Sequence, residues 1–252
     1  MPNGSHTSSE IFLVLASGSP RRRELIQLLG LPFSVVSPKR LDPNEIRWVE
    51  IDETPLLDET AAGMVKRLSR LKAEAVVAHL SDLLTADLPG NLPIILAADT
   101  TVVLNNEILG KPENPTDARR MLQCLRAESH FVYTGYTVAV PTQTTAVLPT
   151  LAPQQQAVFL TRLHRSEVWL RSYTDAEIDV YIASGSPLDK AGAYGIQDES
   201  FTPVARLDGC FASVMGLPLG DVAATLVELG LSLPMVGPLC TRFTEAVCCQ
   251  QE

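Results

Sequence analysis

The stretch Ile11-Phe12-Leu13-Val14-Leu15-Ala16-Ser17-Gly18-Ser19-Pro20-Arg21-Arg22 decides the fold. Its leading apolar residues read as a buried strand that ends in a small, flexible turn. Pro20 sits where a proline best opens a helix, and Leu25, Ile26, Leu28 and Leu29 carry that helix to a stop at Gly30. The free N–H groups of a helix's first turn, at the positive end of its dipole, form a site for anions. Arg21 and Arg22 add bidentate phosphate donors to it. The segment therefore predicts half of a phosphate-binding pocket.

Outward from it, strand-like and helix-like segments alternate, the pattern of an α/β protein. Thr60 to Leu80 places Met64, Val65, Leu68, Leu71, Ala75, Val76 and Leu80 on one face of a long helix. A loop punctuated by Pro and Gly, Thr85 to Pro93, leads into two β-rich runs, Ile94 to Ala98 and Thr101 to Leu104. Asn114 caps a helix opened by Pro115, with Ala118, Met121, Leu122 and Leu125 inward. Phe131 to Val140 reads as a long strand and Pro141 to Gln156 as an exposed loop insertion rich in Pro, Thr and Gln. Ala157 to Leu170 resumes strand character, and Thr174 with Glu177 forms a capping box for a helix ending at Gly185. A last strand near Pro203 to Leu207 precedes a helix after Pro218. The echo of the opening turn at Ala183-Ser184-Gly185-Ser186-Pro187 lacks paired arginines and reads as a helix C-cap. Residues 1–10 and 234–252 read as terminal tails around a single domain over 11–233, with the insertion at about 141–156.

A chain of 252 residues buries a substantial core in one domain. Its net charge of −9 argues against a nucleic-acid binder, which would carry a basic face. An anionic substrate then needs a local basic pocket or a metal ion. No apolar run approaches the roughly 20 residues that span a bilayer, and the polar N-terminus lacks a secretory pattern. A cytoplasmic protein without membrane attachment is expected. Five cysteines without a CxxC pair argue against a disulfide framework or zinc site, and Cys124 reads as a buried structural thiol.

Four further clusters bear on chemistry. Asp99 follows Ala97-Ala98 where an apolar run ends, a costly place for a carboxylate unless it is paired or binds a metal. Strand ends are also where open α/β sheets place ligands. Glu53 lies in the acidic loop Ile51-Asp52-Glu53-Thr54-Pro55. Leu109-Gly110-Lys111-Pro112 sets one cation between a flexible and a rigid residue. In Asp189-Lys190-Ala191-Gly192-Ala193-Tyr194-Gly195-Ile196-Gln197, small residues allow close backbone approach to a ligand, with Lys190 and Gln197 as polar heads at either end.

These blocks, in this order and together with Val132-Tyr133-Thr134-Gly135 and Gly216-Leu217-Pro218-Leu219, closely resemble the Maf family of nucleoside triphosphate pyrophosphatases. The likeness runs from about Ile11 to Gly230, interrupted by the insertion. It implies an elongated mixed α/β sheet flanked by helices, shared with inosine triphosphatases, with a central cleft between two lobes and frequent homodimers. It implies hydrolysis of a nucleoside triphosphate to monophosphate and pyrophosphate with Mg²⁺ or Mn²⁺. Arg21, Thr100 and Gln197 match the branch that prefers dTTP and UTP; a branch preferring 7-methyl-GTP is the alternative. A non-catalytic nucleotide-binding regulator of cell division is a further one.

Within that resemblance, Asp99 is the expected general base or metal-linked carboxylate that orients water, and Glu53 the second metal ligand. Arg21, Arg22, Lys72, Lys111 and Lys190 are expected around the triphosphate, with Ser17 and Ser19 donating hydrogen bonds. Gln197 can pair with the edge that uracil and thymine share. The sequence departs from the family at Ser186, where glutamate is usual, at Ser213 for asparagine, at Asp198 for glycine, and at Glu128-Ser129 for Ser-Gly.

Overall fold

A computed structural model describes residues 11–36, 51–80, 92–145, 148 and 157–246. Strand β1 (Ile11–Ala16) leads through the Ser17–Ser19 turn into helix α1 (Pro20–Gln27), with Pro20 in its first turn. Strand β2 (Phe33–Val36) follows, then α2 (Ala61–Ala78), whose N-cap Thr60 accepts a hydrogen bond from the Gly63 N–H. Next come β3 (Leu92–Leu104), β4 (Glu107–Leu109) and α3 (Pro115–Leu125), capped by Asn114. β5 (Ser129–Pro141), a helical turn at Thr142–Thr145 and β6 (Ala157–Leu170) precede α4 (Asp175–Ala183), where the Thr174–Glu177 capping box forms. Two short 3₁₀ turns, Ser186–Asp189 and Ala191–Ala193, lead to β7 (Val204–Asp208), α5 (Phe211–Met215), α6 (Leu219–Glu228) and α7 (Val236–Thr244).

The strands form one mixed sheet in the order β2-β1-β3-β5-β6-β7, with β4 paired to β3; among the described residues it holds seven strands. β1 is parallel to β2 and β3, and the other pairings are antiparallel. Side chains alternate across the sheet. Leu13, Leu15, Leu96 and Ala98 pack with Leu25, Ile26 and Val222 on one face, while Phe12, Val14, Ile95 and Ala97 meet Ala73 and Val76 of α2 on the other. Farther along β3, Val102 and Leu104 belong to a separate core with Met121, Leu122, Ile178 and Tyr181. The mixed sheet flanked by helices is the α/β architecture that the sequence predicts. Among the described residues no helix is long and apolar enough to cross a membrane.

Four sequence expectations need correction. Ile94–Ala98 and Thr101–Leu104 are not two runs but one strand, so Asp99 sits mid-strand rather than at a strand end. The cause is β5, which pairs without a break from Ile95↔Ala139 to Val103↔Phe131 and carries the ladder through the polar residues. Cys124 is exposed: the inward stripe of α3 is Ala118, Met121, Leu122 and Leu125, and position 124 lies off it. The near end of the 141–156 insertion is tucked in, since Thr144 is buried and donates to the Pro93 carbonyl at 2.9 Å, and Leu148 is buried too; residues 146–147 and 149–156 lie outside the described residues. The expected C-terminal tail carries α7, which adds Val236 and Cys240 to the main core; residues 1–10 and 247–252 also lie outside.

Gly135 of β5 explains one motif. A Cβ there would stand 2.4 Å from the backbone oxygen of Val65, because α2 lies directly on the strand. Gly135→Ala should therefore push α2 off the sheet and cost about 3 kcal/mol, or roughly 6–12 °C in Tm. A melting temperature within a degree or two of wild type would refute that packing.

Candidate active site

The cleft begins with a gap in hydrogen bonding. β1 accompanies β3 as far as Ala16↔Ala97, and β4 takes up the same edge only at Leu109↔Val102. Residues 98–101 have no strand partner on that edge among the described residues. A cleft of about 550 Å³ opens there, within the ~300–1,000 Å³ typical of small-molecule pockets. Ser17, Ser19, Arg21, Arg22, Glu53, Lys72, Asp99, Thr100, Lys111, Lys190 and Gln197 all line it, so every candidate residue from the sequence meets at one place.

Asp99 is buried on the face of β3 that looks toward α2. Lys72, two-thirds of the way along α2, places its Nζ 2.6 Å from Asp99 Oδ1 and 2.6 Å from Glu53 Oε1. Burial works against the Glu53 carboxylate. The charge and hydrogen bond of Lys72, with Lys111 and Arg22 farther off, outweigh it and hold the carboxyl below its ordinary range.

Arg22 has a different role from its neighbour. Its Nε donates to the Gly216 carbonyl at 2.7 Å, Nη1 to Ser17 Oγ at 3.2 Å and Nη2 to Thr100 Oγ1 at 3.2 Å. Thr100 in turn bonds Thr134 Oγ1 at 2.9 Å, and Thr134 donates to the Ser213 carbonyl at 2.9 Å. The guanidinium thus ties the opening turn, β3 and the Gly216 loop together. Gly216 has φ +118 and a Cβ there would sit 3.2 Å from Arg22 Nε, so a side chain would be strained and would crowd the clamp. Burial lowers the Arg22 pKa, with Asp99 opposing and Arg21 adding to the effect; the group stays charged.

Arg21 reaches across the cleft to Asp189, Nη1 to Oδ2 at 2.9 Å, and Lys190 Nζ lies 2.7 Å from the other Asp189 oxygen. Burial would raise the Asp189 pKa, but these two cations hold it below the usual carboxylate range. Lys190 also donates to the Ser186 carbonyl and hydroxyl. Ser186 Oγ donates to Asp198 Oδ2 at 2.8 Å. Two departures from the expected family pattern therefore touch, Ser186 and Asp198. Ser213, the third departure, leaves its buried Oγ without a partner among the described residues.

Two other buried polar atoms, Gln197 Oε1 and Thr101 Oγ1, belong to residues that line the cleft and have no partner among the described residues. A buried amide oxygen left unpaired is costly, and such an acceptor suits a ligand N–H. The sequence reading placed Thr101 in the cluster around Asp99 but gave it no role; its i+2 spacing from Asp99 on a strand was the available signal.

The sequence reading also missed the pair beneath the cleft. His130 Nε2 lies 2.7 Å from the Tyr194 hydroxyl, both side chains are buried, and Tyr194 lines the cleft. Burial pushes the His130 pKa down to about 4 from 6.5. A histidine neutral in the fold but protonated when unfolded stabilises fully above pH 6.5, and that contribution is lost as pH falls from 6.5 to about 4. It amounts to about 3 kcal/mol. Urea unfolding at pH 7 and pH 4.5 should show this loss in the wild type and much less of it in His130→Gln; equal slopes would refute it.

The fold and cleft define a class: an α/β protein whose sheet carries a cleft lined by cationic side chains, with the Asp99 and Glu53 carboxylates bridged by Lys72. The model of the Maf-like protein family matches residues 12–229, and the chain belongs to that family. A dTTP/UTP pyrophosphatase of Chromobacterium violaceum is 37% identical over 228 residues, covering 90% of this chain and all of the relative. One of Anaeromyxobacter dehalogenans is 42% identical over 226 residues, covering 90% of this chain and 98% of the relative. One of Myxococcus xanthus is 39% identical over 227 residues, covering 90% and 97%.

Proposed function

We propose that the protein hydrolyses dTTP and UTP to the nucleoside monophosphate and pyrophosphate. The observation that carries this is the meeting of Arg21, Lys72, Lys111 and Lys190 with the Asp99–Glu53 pair in a cleft where Gln197 holds an unpaired carbonyl oxygen. The names of the relatives, dTTP/UTP pyrophosphatases, support the same substrates.

Asp99 takes a proton from a water molecule, whose oxygen forms a bond to the α-phosphorus. The bond from that phosphorus to the bridging oxygen breaks, and pyrophosphate leaves with the electron pair against Arg21, Lys111 and Lys190. Arg22 keeps the opening turn in place. Glu53 and Asp99 fit a divalent cation, because their oxygens already converge at 2.6 Å on one cationic atom. Magnesium commonly uses one or two carboxylates plus substrate phosphates. When bound it supplies charge neutralisation to the triphosphate. Gln197 Oε1 accepts the ring N–H of uracil or thymine while its amide N–H donates to an adjacent carbonyl. A base lacking that pattern leaves the buried oxygen unpaired, which is how polar sites discriminate.

The test is a panel of nucleoside triphosphates, including 7-methyl-GTP, with Mg²⁺ or Mn²⁺ and quantification of monophosphate and pyrophosphate. Turnover of dTTP and UTP above the purine nucleotides is expected. No turnover of any nucleotide overturns the activity and leaves a nucleotide-binding regulator; 7-methyl-GTP well above UTP overturns the substrate assignment.

A further inference from the structure

Lys72 occupies an unusual position for a phosphate ligand. Its ammonium lies 2.6 Å from both Glu53 Oε1 and Asp99 Oδ1, and its side chain is only 11% exposed. An ammonium is a compact point charge with three donors and no acceptor, and two of those donors are used here. The point it holds is where two hard oxygen donors converge, the arrangement that a divalent cation takes. An ammonium and a divalent cation cannot share it.

We propose that Lys72 is a tethered cation that holds the metal's place between Glu53 and Asp99, and that it must vacate this place when a divalent ion binds. The proposal rests on the metal use proposed above. Charge shows why an exchange of this kind suits the site. The two carboxylates with Lys72 sum to −1; with a divalent ion added they sum to +1, and the displaced ammonium is directed to the triphosphate with Arg21, Lys111 and Lys190. Lys72 and Asp99 are fixed by α2 and β3, whereas the Glu53 side chain is 53% exposed on the loop before α2. Glu53 is therefore the member with room to turn as one cation replaces the other. In the nucleotide-free protein the lysine competes with metal. A bound triphosphate gives the ammonium another partner, so metal and nucleotide bind with positive, reciprocal coupling.

The test is Mn²⁺ binding to the nucleotide-free protein, followed by electron paramagnetic resonance, for wild type, Lys72→Met, Lys72→Gln, Lys72→Arg and Lys111→Met. Melting curves verify that each variant is folded, and the Mn²⁺-induced rise in Tm gives a second readout of affinity. Lys72→Met and Lys72→Gln should bind Mn²⁺ about tenfold more tightly than wild type, within the usual span of coupling between sites. Lys72→Arg, which keeps a tethered cation, should stay near wild type. Lys111→Met removes a nearby charge that does not bridge the carboxylates and should tighten binding less. Unchanged or weaker binding in the Lys72 variants, or equal tightening by Lys111→Met, overturns the proposal. Because binding is read without turnover, a failure of the proposed hydrolysis would leave this result standing and distinguishable.

Discussion

Replacing Asp99 by asparagine is expected to lower kcat for dTTP and UTP about 10²–10⁴-fold, the range for removal of a positioned general base. Asparagine has the same shape and keeps an acceptor for Lys72 at the 2.6 Å contact, so the fold should survive. What it lacks is the capacity to take a proton and the second negative charge beside Glu53. The loss should fall on kcat, with KM changing far less, because the triphosphate contacts proposed above lie on Arg21, Lys111 and Lys190. Rates on UTP with circular dichroism on the same samples decide the matter. A kcat within a few-fold of wild type in a folded protein would remove Asp99 from the chemistry and move the base elsewhere in the cleft.

The second large effect is structural. Arg22→Lys should lower stability by about 3 kcal/mol, or roughly 6–12 °C in Tm. Arginine donates from Nε, Nη1 and Nη2 to three separate walls: the Gly216 carbonyl, Ser17 and Thr100. A lysine carries the charge but cannot reach all three with a planar fork. The freed Gly216 carbonyl and Thr100 hydroxyl then lie half-buried with fewer partners. Activity should fall together with Tm, since the Ser17–Ser19 turn loses its tie to β3. If Lys restored full stability, charge and not geometry would be what position 22 needs.

Much of this was legible in the chain. The strand, turn and helix of Ile11–Gln27, the cap at Asn114 and the Thr174–Glu177 box all form where local chemistry puts them. They are short-range features, settled by neighbours within four residues. The place of Asp99 was not legible, because a strand continues through Asp99-Thr100 only when a partner such as Gly135 lies opposite. The same reason hid the use of Arg22, whose acceptors include residues 78 and 194 positions away. His130 and Tyr194 sit 64 residues apart and become a pair only through packing. The Ser186–Asp198 contact joins two positions twelve residues apart, which single-position reading could not find.

The thirteen-residue strands β3 and β5 run side by side past the cleft, with nine paired positions from Ile95 to Val103. Each is roughly 40 Å long at about 3.3 Å per residue. Mechanically, the cleft is cut where one edge of β3 lies open between β1 and β4, beside a ladder with β5 that runs on unbroken. The Ser17–Ser19 turn stands on one bank and the Lys190 segment on the other, linked by the Arg21–Asp189 ion pair. Whatever enters the cleft therefore meets a floor pinned by nine consecutive strand pairings, with the charged side chains standing on the elements around it.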